Sequence, residues 1–172
     1  EDLFLEGTGS MILDRQNKIC YAALSIRTDK GIAQQFCSEF DYELVAFTAN
    51  QTHNGERLPI YHTNVMMCVA DEYVIVCLDT IDDKNERKML EQTILKSGKE
   101  VIEITEEQKG RFAGNMLQIQ GNEAYLVMSS SAYNSLSEPQ IERIQSFNPI
   151  LHNDINTIEA CGGGSARCMM AE

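Results

Sequence analysis

The strongest constraint on the fold of this chain is that it repeats itself. Three segments, Gly9-Ser10-Met11-Ile12-Leu13, Thr63-Asn64-Val65-Met66-Met67 and Gly114-Asn115-Met116-Leu117-Gln118, each open with a small residue, continue with Ser or Asn, and run into apolar residues. Each leads through a turn signal (Asp14-Arg15-Gln16-Asn17, Ala70-Asp71-Glu72, Gln120-Gly121-Asn122-Glu123) to a second apolar run, at 19–24, 73–78 or 124–128. Short apolar runs around Asn, Asp and Gly turns predict hairpins. A helical pattern follows each one. Residues 29–40 place Ile32, Phe36 and Phe40 at four-residue steps, and residues 82–96 place Leu90, Ile94 and Leu95 between Asp82-Asp83 caps and a Gly98 stop. Residues 137–147 begin Ser-Glu-Pro-Gln, a capped start with Pro in the first turn, and repeat Ile141 and Ile144. A third strand closes each unit, at 42–47, 99–104 and, more weakly, 149–152.

The unit is therefore β-β-α-β, recurring about every 50 to 55 residues, with bounds near 3–56, 60–110 and 112–155. After a helical turn at 155–160, a further copy begins within 163–172 as Arg167-Cys168-Met169-Met170. The fold class is mixed α/β (α+β). On the repeat, Ser10, Asn64, Asn115 and Cys168 fall in one slot. If the units close around a pseudo-symmetry axis, their strand entrances face one another there. Chance repetition in a plain α+β domain is the alternative.

With 172 residues the chain is long enough to bury one sizeable core. A net charge of −12 without a Lys/Arg cluster argues against nucleic acid as a partner. No apolar run reaches the roughly 18 residues of a membrane span. Cys20, Cys37, Cys68, Cys77, Cys161 and Cys168 show no CxxC spacing, and most lie in apolar stretches. Reduced thiols in a cytoplasmic protein, with no metal site, are the expectation.

Three motifs carry chemistry. Gly162-Gly163-Gly164-Ser165-Ala166-Arg167-Cys168 delivers a thiol out of a glycine run, Tyr61-His62-Thr63-Asn64 delivers an imidazole, and Leu5-Glu6-Gly7-Thr8-Gly9 delivers a carboxylate. Each enters an apolar, strand-like stretch, and together they suit a cysteine hydrolase assembled from separate strands. A thiol ordinarily ionises near about pH 8.5, so a nucleophilic Cys168 needs a favourable neighbour. Arg167 is adjacent, although strand neighbours point to opposite faces. His62 has the residue type for proton transfer to a leaving amine and from water. Two residues on along the same expected strand, Asn64 projects to the side of His62, able to donate to and accept from a planar amide-like group. Asn115 is its counterpart in the next unit. The plainer readings are a core cysteine beside a Gly turn and a strand-capping histidine. His53 reads as solvated in a polar loop, His152 as half-buried and structural, and the Met66-Met67 and Met169-Met170 pairs as core filler.

These blocks resemble the guanidino-group-modifying, or pentein, superfamily, most closely its amidinotransferase-like citrulline-utilisation hydrolases. The likeness rests on residues 4–11, on Tyr61-His62-Thr63-Asn64-Val65 and on residues 160–170, in the family's order and spanning the chain. The resemblance implies a β/α propeller of ββαβ units, incomplete here, with the chain as the C-terminal portion of one domain. It implies a hydrolase of guanidino or ureido C–N bonds in a small amino acid of the citrulline or arginine type, working through a covalent Cys168 intermediate. His62 would be the acid/base, Glu6 would orient it, and Asn64, Arg167 and Asn115 would bind substrate. No metal or organic cofactor is implied. A homo-oligomer or a complementary N-terminal half is implied as partner, because three units and the start of a fourth do not close a propeller.

Deiminases of the superfamily commonly carry an acidic residue two positions after the histidine; the neutral Asn64 here favours a neutral ureido group over a cationic guanidinium. Amidine transfer and a non-catalytic binding role on the same architecture are the competing functions. A papain-like peptidase fits poorly, since its nucleophile opens a long helix.

Overall fold

The computed structural model describes residues 2–170. The first unit runs α1 (Gly7–Ser10), β1 (Ile12–Asp14), β2 (Ile19–Ala23), α2 (Lys30–Phe40) and β3 (Glu43–Phe47). A hairpin follows, β4 (Asn50–His53) and β5 (Glu56–Pro59), and then a 3-10 turn at Thr63–Val65. The second unit is β6 (Met67–Val69), β7 (Tyr73–Val76), α3 (Lys84–Lys96) and β8 (Glu100–Glu103). After α4 (Glu106–Gly110) comes the third, β9 (Leu117–Gln120), β10 (Ala124–Ser129), α5 (Ser130–Ser135), α6 (Glu138–Gln145) and β11 (Ile150–Asn153). The described chain closes with α7 (Asn156–Gly162) and a 3-10 turn at Arg167–Met169.

Each unit builds a three-stranded sheet of the same topology. The first two strands pair antiparallel (Ile12 with Tyr21, Met67 with Val76, Leu117 with Val127). The helical crossover then returns the third strand parallel to the second (Ala23 with Phe47, Val76 with Glu103, Ser129 with Asn153). The middle strands of the first two units are buried at every position, which explains their continuous apolar runs. One core cluster unites the three sheets, with Tyr21, Phe47, Met66, Met67, Tyr73, Ile75, Leu90 and Ile94 at or near zero exposure. Each fully buried Ile, Leu or Met contributes about 1.5–3 kcal/mol.

Polar ties between units recur in register. Gln16 Nε2 donates to Asp71 Oδ1 at 3.1 Å, and the Asp71 N–H donates to Gln118 Oε1 at 2.9 Å. Lys99, buried, donates to the carbonyls of Ala70 and Asp71 at 2.9 and 2.7 Å and lies 3.5 Å from Asp14 Oδ2.

The helix starts follow the expected caps. Asp29 accepts from the Ile32 N–H, Asp83 from Asn85 and Glu86, and Gln140 reaches back to the Ser137 N–H. Several expectations need correction. The fully buried residues of α2 are Ala33 and Cys37; Ile32 and Phe36 are half-buried, Phe36 packing against the cluster of Met11, Cys20 and Cys37, and Phe40 is exposed. Leu95 is exposed, leaving Leu90 and Ile94 as the buried pair of α3. His53 is exposed as expected, but on a strand: Asn54 and Gly55 both take positive φ (50° and 84°), the Asn-Gly signature of a tight hairpin. His152 is exposed, its ring stacked on Tyr133 at 4.0 Å. Met169 is half exposed rather than core filler.

The residues entering each unit also differ from expectation. The first strands start later than the sequence suggests, and helical turns occupy the entrances at Gly7–Ser10, Thr63–Val65 and Arg167–Met169. The expected start of a fourth strand is thus a 3-10 turn as far as Met169, and residues 171 and 172 of that expected unit lie outside the described residues. Among the described residues no helix is long and apolar enough to cross a membrane.

Candidate active site

The helical turns at the unit entrances bring the polar motifs together. Glu6 stands at the N-terminal boundary of α1, its backbone N–H donating to Ser10 Oγ at 3.0 Å. Gly7 next to it has φ +51°, the left-handed conformation glycine adopts without steric cost. Glu6 Oε2 lies 2.7 Å from His62 Nε2. His62 is in extended backbone immediately before the Thr63–Val65 turn. Its ring lies against Gly9, where a Cβ would fall 2.9 Å from Cε1 and Nδ1. Thr63 locks the turn by donating to the Ser10 carbonyl at 2.5 Å and accepting from the Ala23 N–H at 2.8 Å.

Cys168 is the middle residue of the Arg167–Met169 turn, as Asn64 is of Thr63–Val65. Two carboxamides from equivalent slots of the repeat meet its sulfur. Asn115 Nδ2 lies 3.2 Å from Cys168 Sγ and Asn64 Nδ2 lies 3.8 Å from it. Asn115 Nδ2 also donates to the Asn64 carbonyl at 3.0 Å. That contact requires the second and third units to touch at their backbones, and a Cβ on Gly114 would fall 2.3 Å from the Val65 carbonyl oxygen. Both asparagines are buried, and their Oδ1 atoms make no hydrogen bond. Ser10, the remaining member of the slot, is turned away, donating to the Arg27 carbonyl at 2.7 Å.

The thiol is held from behind by the glycine run. The Cys168 N–H donates to the Ser165 carbonyl at 3.1 Å, and Ser165 Oγ donates to buried Glu159 Oε1 at 2.6 Å. Gly163 ends α7 with φ +67°, and a Cβ on Gly164 would crowd Cys168 at 3.1 Å from its Cβ. A cavity of about 160 Å³ opens beside Cys168, lined among others by Gln51, Tyr61, Lys109 and Phe112. Burial and the neighbouring Cys168 both raise the Tyr61 phenol above its ordinary pKa.

The expected strand geometry fails here, with consequences for two residues. His62 and Asn64 do not share a strand face: His62 meets Glu6, and Asn64, buried in the 3-10 turn, meets the thiol. Arg167 is buried while Cys168 is exposed, a divergence produced by a helical turn rather than by strand alternation. Cys161, one of the other five thiols, is also exposed; Cys20, Cys37, Cys68 and Cys77 are buried.

The sequence reading missed Arg27, Gln51 and Lys109, and named Tyr61 only as the neighbour of His62 in its motif. Arg27 Nη1 lies 3.6 Å from Glu6 Oε2, with its guanidinium over the Tyr61 ring at 5.3 Å. Arg27 sits in an inter-element linker, Gln51 in a hairpin and Lys109 in the short helix α4, none with a motif of its own, so only the placement of neighbouring units reveals them. Among the described residues no group of three or more His, Cys, Asp or Glu is placed to hold a metal ion.

No curated protein sequence matches the chain. Among solved structures, the product-bound N-terminal domain of ArgZ, an arginine dihydrolase from the ornithine-ammonia cycle in cyanobacteria, superimposes with TM-score 0.73 at 20% identity, over 97% of this chain and 55% of that one. A dimethylarginine dimethylaminohydrolase adduct with S-methyl-L-thiocitrulline gives TM-score 0.59 at 14% identity, covering 96% and 57%. Agmatine deiminase from C. jejuni gives 0.59 at 15%, covering 98% and 55%. The chain thus spans little more than half of these structures, and 23% of full-length ArgZ. The likenesses show a shared fold, that of guanidino-modifying pentein hydrolases. The model of the family described as N,N dimethylarginine dimethylhydrolase, eukaryotic, matches residues 1–172, so over its whole length the chain belongs to that family, within the pentein superfamily.

Proposed function

We propose that this chain is the nucleophile-bearing, C-terminal portion of a pentein β/α propeller domain that hydrolyses a guanidino or ureido C–N bond of a small amino acid. The observation that carries the reading is the short path from Glu6 through His62 to the Asn64–Cys168 contact, four motif residues gathered from three unit entrances. Cys168 passes its thiol proton to His62 as Sγ attacks the central carbon, forming an S–C bond and a tetrahedral adduct. His62 gives that proton to the departing nitrogen as the C–N bond breaks, leaving a thiouronium- or thiocarbamate-like carbon on sulfur. His62 then takes a proton from water, whose oxygen attacks that carbon, and the S–C bond breaks as His62 returns the proton to the sulfur and regenerates the thiol. Glu6, half exposed and 2.7 Å from Nε2, holds the ring in register and stabilises its charged form.

Among the described residues, the side chains that hydrogen-bond the sulfur are those of Asn64 and Asn115, and both are neutral. Their two unbonded, buried Oδ1 atoms are acceptors suited to substrate N–H groups. A neutral ureido substrate of the citrulline type therefore fits without a compensating carboxylate. The family match favours a second reading, a methylated arginine as substrate. Turnover of citrulline, arginine and N,N-dimethylarginine by the full-length protein separates the two, and clear preference for either cationic compound defeats the ureido reading. Replacement Cys168→Ala must abolish turnover of whichever compound is used; retained turnover would refute the mechanism itself.

A further inference from the structure

The shorter of the two contacts to the sulfur comes from a group whose donors are both engaged inside the protein. Asn115 Nδ2 lies 3.2 Å from Cys168 Sγ and 3.0 Å from the Asn64 carbonyl oxygen. A carbonyl oxygen accepts and never donates, so the second contact fixes which end of the carboxamide carries the NH2 group. One of its hydrogens goes to that carbonyl and the other faces the sulfur. No hydrogen of this group is left for a substrate; Oδ1 alone is unbonded. Asn64 Nδ2 adds a longer contact, at 3.8 Å, from the neighbouring unit.

Both partners are held for this contact. Asn115 is 2% exposed, and its backbone N–H donates to the Phe112 carbonyl at 2.8 Å. Gly164 leaves room for the sulfur, since a Cβ there would fall 3.2 Å from Sγ. The Nε2 atom of His62, meanwhile, is engaged by Glu6 at 2.7 Å. An amide N–H bonds weakly to a neutral thiol and more strongly to a charged sulfur. Sulfur carries most charge at two moments of the proposed reaction: when its proton has left, and when the electron pair of the breaking S–C bond returns to it. A donor already fixed beside it favours both without reorganisation.

We propose that Asn115, assisted by Asn64, is a catalytic residue that acts on the nucleophile, its NH2 group stabilising negative charge on Cys168 Sγ before the S–C bond forms and again as it breaks. The inference rests on the hydrolase reading above and adds a second reason for carboxamides in these slots. A carboxylate has no hydrogen to donate and would set a like charge against the sulfur. Asparagine here answers to the nucleophile as well as to the charge of the substrate.

The test is alkylation of the full-length protein by iodoacetamide without substrate. Cleavage after Arg167 places the exposed Cys161 and Cys168 on separate peptides, so mass spectrometry reads both thiols in one sample, with Cys161 as internal reference. Asn115→Leu, close in volume but without polar atoms, should slow alkylation of Cys168 about 10- to 100-fold, the worth of a hydrogen bond to a charged partner, and leave Cys161 within about twofold. Asn64→Leu should slow Cys168 by less. Asn115→Ser, too short to reach the sulfur, carries the same expectation if Asn115→Leu does not fold. Asn115→Asp, which keeps an acceptor for substrate N–H groups, should be slowed as well, whereas a role toward substrate alone leaves all these rates unchanged. Cys168 alkylated within twofold of the parent, alkylated faster, or slowed in step with Cys161 would each overturn the assignment. Turnover separates the two ideas. If Cys168→Ala abolishes turnover while the Asn115 variants alkylate normally, only the Asn115 assignment falls; if Cys168→Ala retains turnover, the hydrolase reading falls, and the alkylation rates still decide whether Asn115 acts on the sulfur.

Discussion

The most discriminating substitution in this molecule is Gly9→Ala, because it strikes the proposed acid/base through a backbone position that tolerates a side chain. Gly9 is not among the glycines of positive φ, so alanine fits its conformation, and loss of glycine's freedom in the unfolded chain favours the variant by about 0.4–1 kcal/mol. The added methyl, however, falls 2.9 Å from His62 Cε1 and Nδ1 and 3.1 Å from Cγ, where ordinary contact begins at 3.4 Å. The ring must retreat by about half an ångström, an ångström-scale error of the kind that costs up to about 100-fold in rate. That movement lengthens the 2.7 Å contact with Glu6, an interaction of about 1.5–3 kcal/mol when the imidazole is charged. The expectation is kcat/KM reduced about 10- to 100-fold with a melting temperature changed by only a few degrees, the gain in the unfolded chain offsetting part of the weakened contact. Steady-state kinetics on the preferred substrate and a thermal melt of the same preparation read both quantities. A variant with kcat/KM within twofold of the parent would refute the claim that the His62–Glu6 pair is tuned by contact with Gly9.

Other substitutions separate fold from site. Ser165→Ala removes the 2.6 Å bond to buried Glu159 behind the proposed nucleophile and should cost about 1–3 kcal/mol in urea titration, with kcat falling beyond what stability explains. Lys99→Met strips the buried ion pair with Asp14 and two carbonyl contacts between the first and second units, and should cost about 3–5 kcal/mol by chemical denaturation. Hydrogen bonds from Arg57, then Asn50, hold the Asp82 carboxyl below its usual pKa. The folded value being the lower one, this contribution is present above the unfolded carboxylate's pKa of about 3.9 and is lost as pH falls through the folded value. The half-exposed Asp82 keeps it under about 1 kcal/mol. The melting difference between parent and Arg57→Ala should therefore shrink between pH 7 and pH 2.5, and a difference that grows in acid would contradict the sign.

Much of the architecture is legible because the repeat is redundant. A turn signal read weakly in one unit is supported by its counterparts, so the antiparallel-then-parallel topology of all three sheets follows from local pattern alone. What the pattern misses is decided by packing. Ala33 and Cys37 face the core of α2 in place of larger neighbours because apolar spacing reports a helix face, not how closely the sheet approaches it. The β4–β5 hairpin is mostly polar and half exposed, so its Asn-Gly turn stands without the flanking apolar alternation that marks strands. At the site, Glu6, His62, Asn64, Asn115 and Cys168 are legible as types, and Asn64, Asn115 and Cys168 also as repeat positions. Their contacts are not, because a 3-10 turn and a strand start distribute side chains differently while sharing the same small-polar-apolar sequence.

The slot shared by Ser10, Asn64, Asn115 and Cys168 indicates how a repeated scaffold carries one asymmetric site. Close approach of the entrances is required in every copy, and the residue before the slot meets that need differently each time. Gly9 yields its side-chain volume to the His62 ring, Gly114 yields it to the Val65 carbonyl, and Thr63 fits by hydrogen-bonding both the Ser10 carbonyl and the Ala23 N–H. Where the slot holds serine, its hydroxyl is spent on the Arg27 carbonyl and the residue stays structural. Where it holds asparagine, the longer amide reaches across to the next copy, and two such amides converge on the thiol that fills the slot in the last. Side-chain reach, rather than position on the repeat, therefore decides which copies meet at the candidate site. Shortening Asn115 to serine should return that slot to a purely local role, releasing Cys168 Sγ from its 3.2 Å contact while the third sheet, whose strands begin beyond it at Leu117, stays intact.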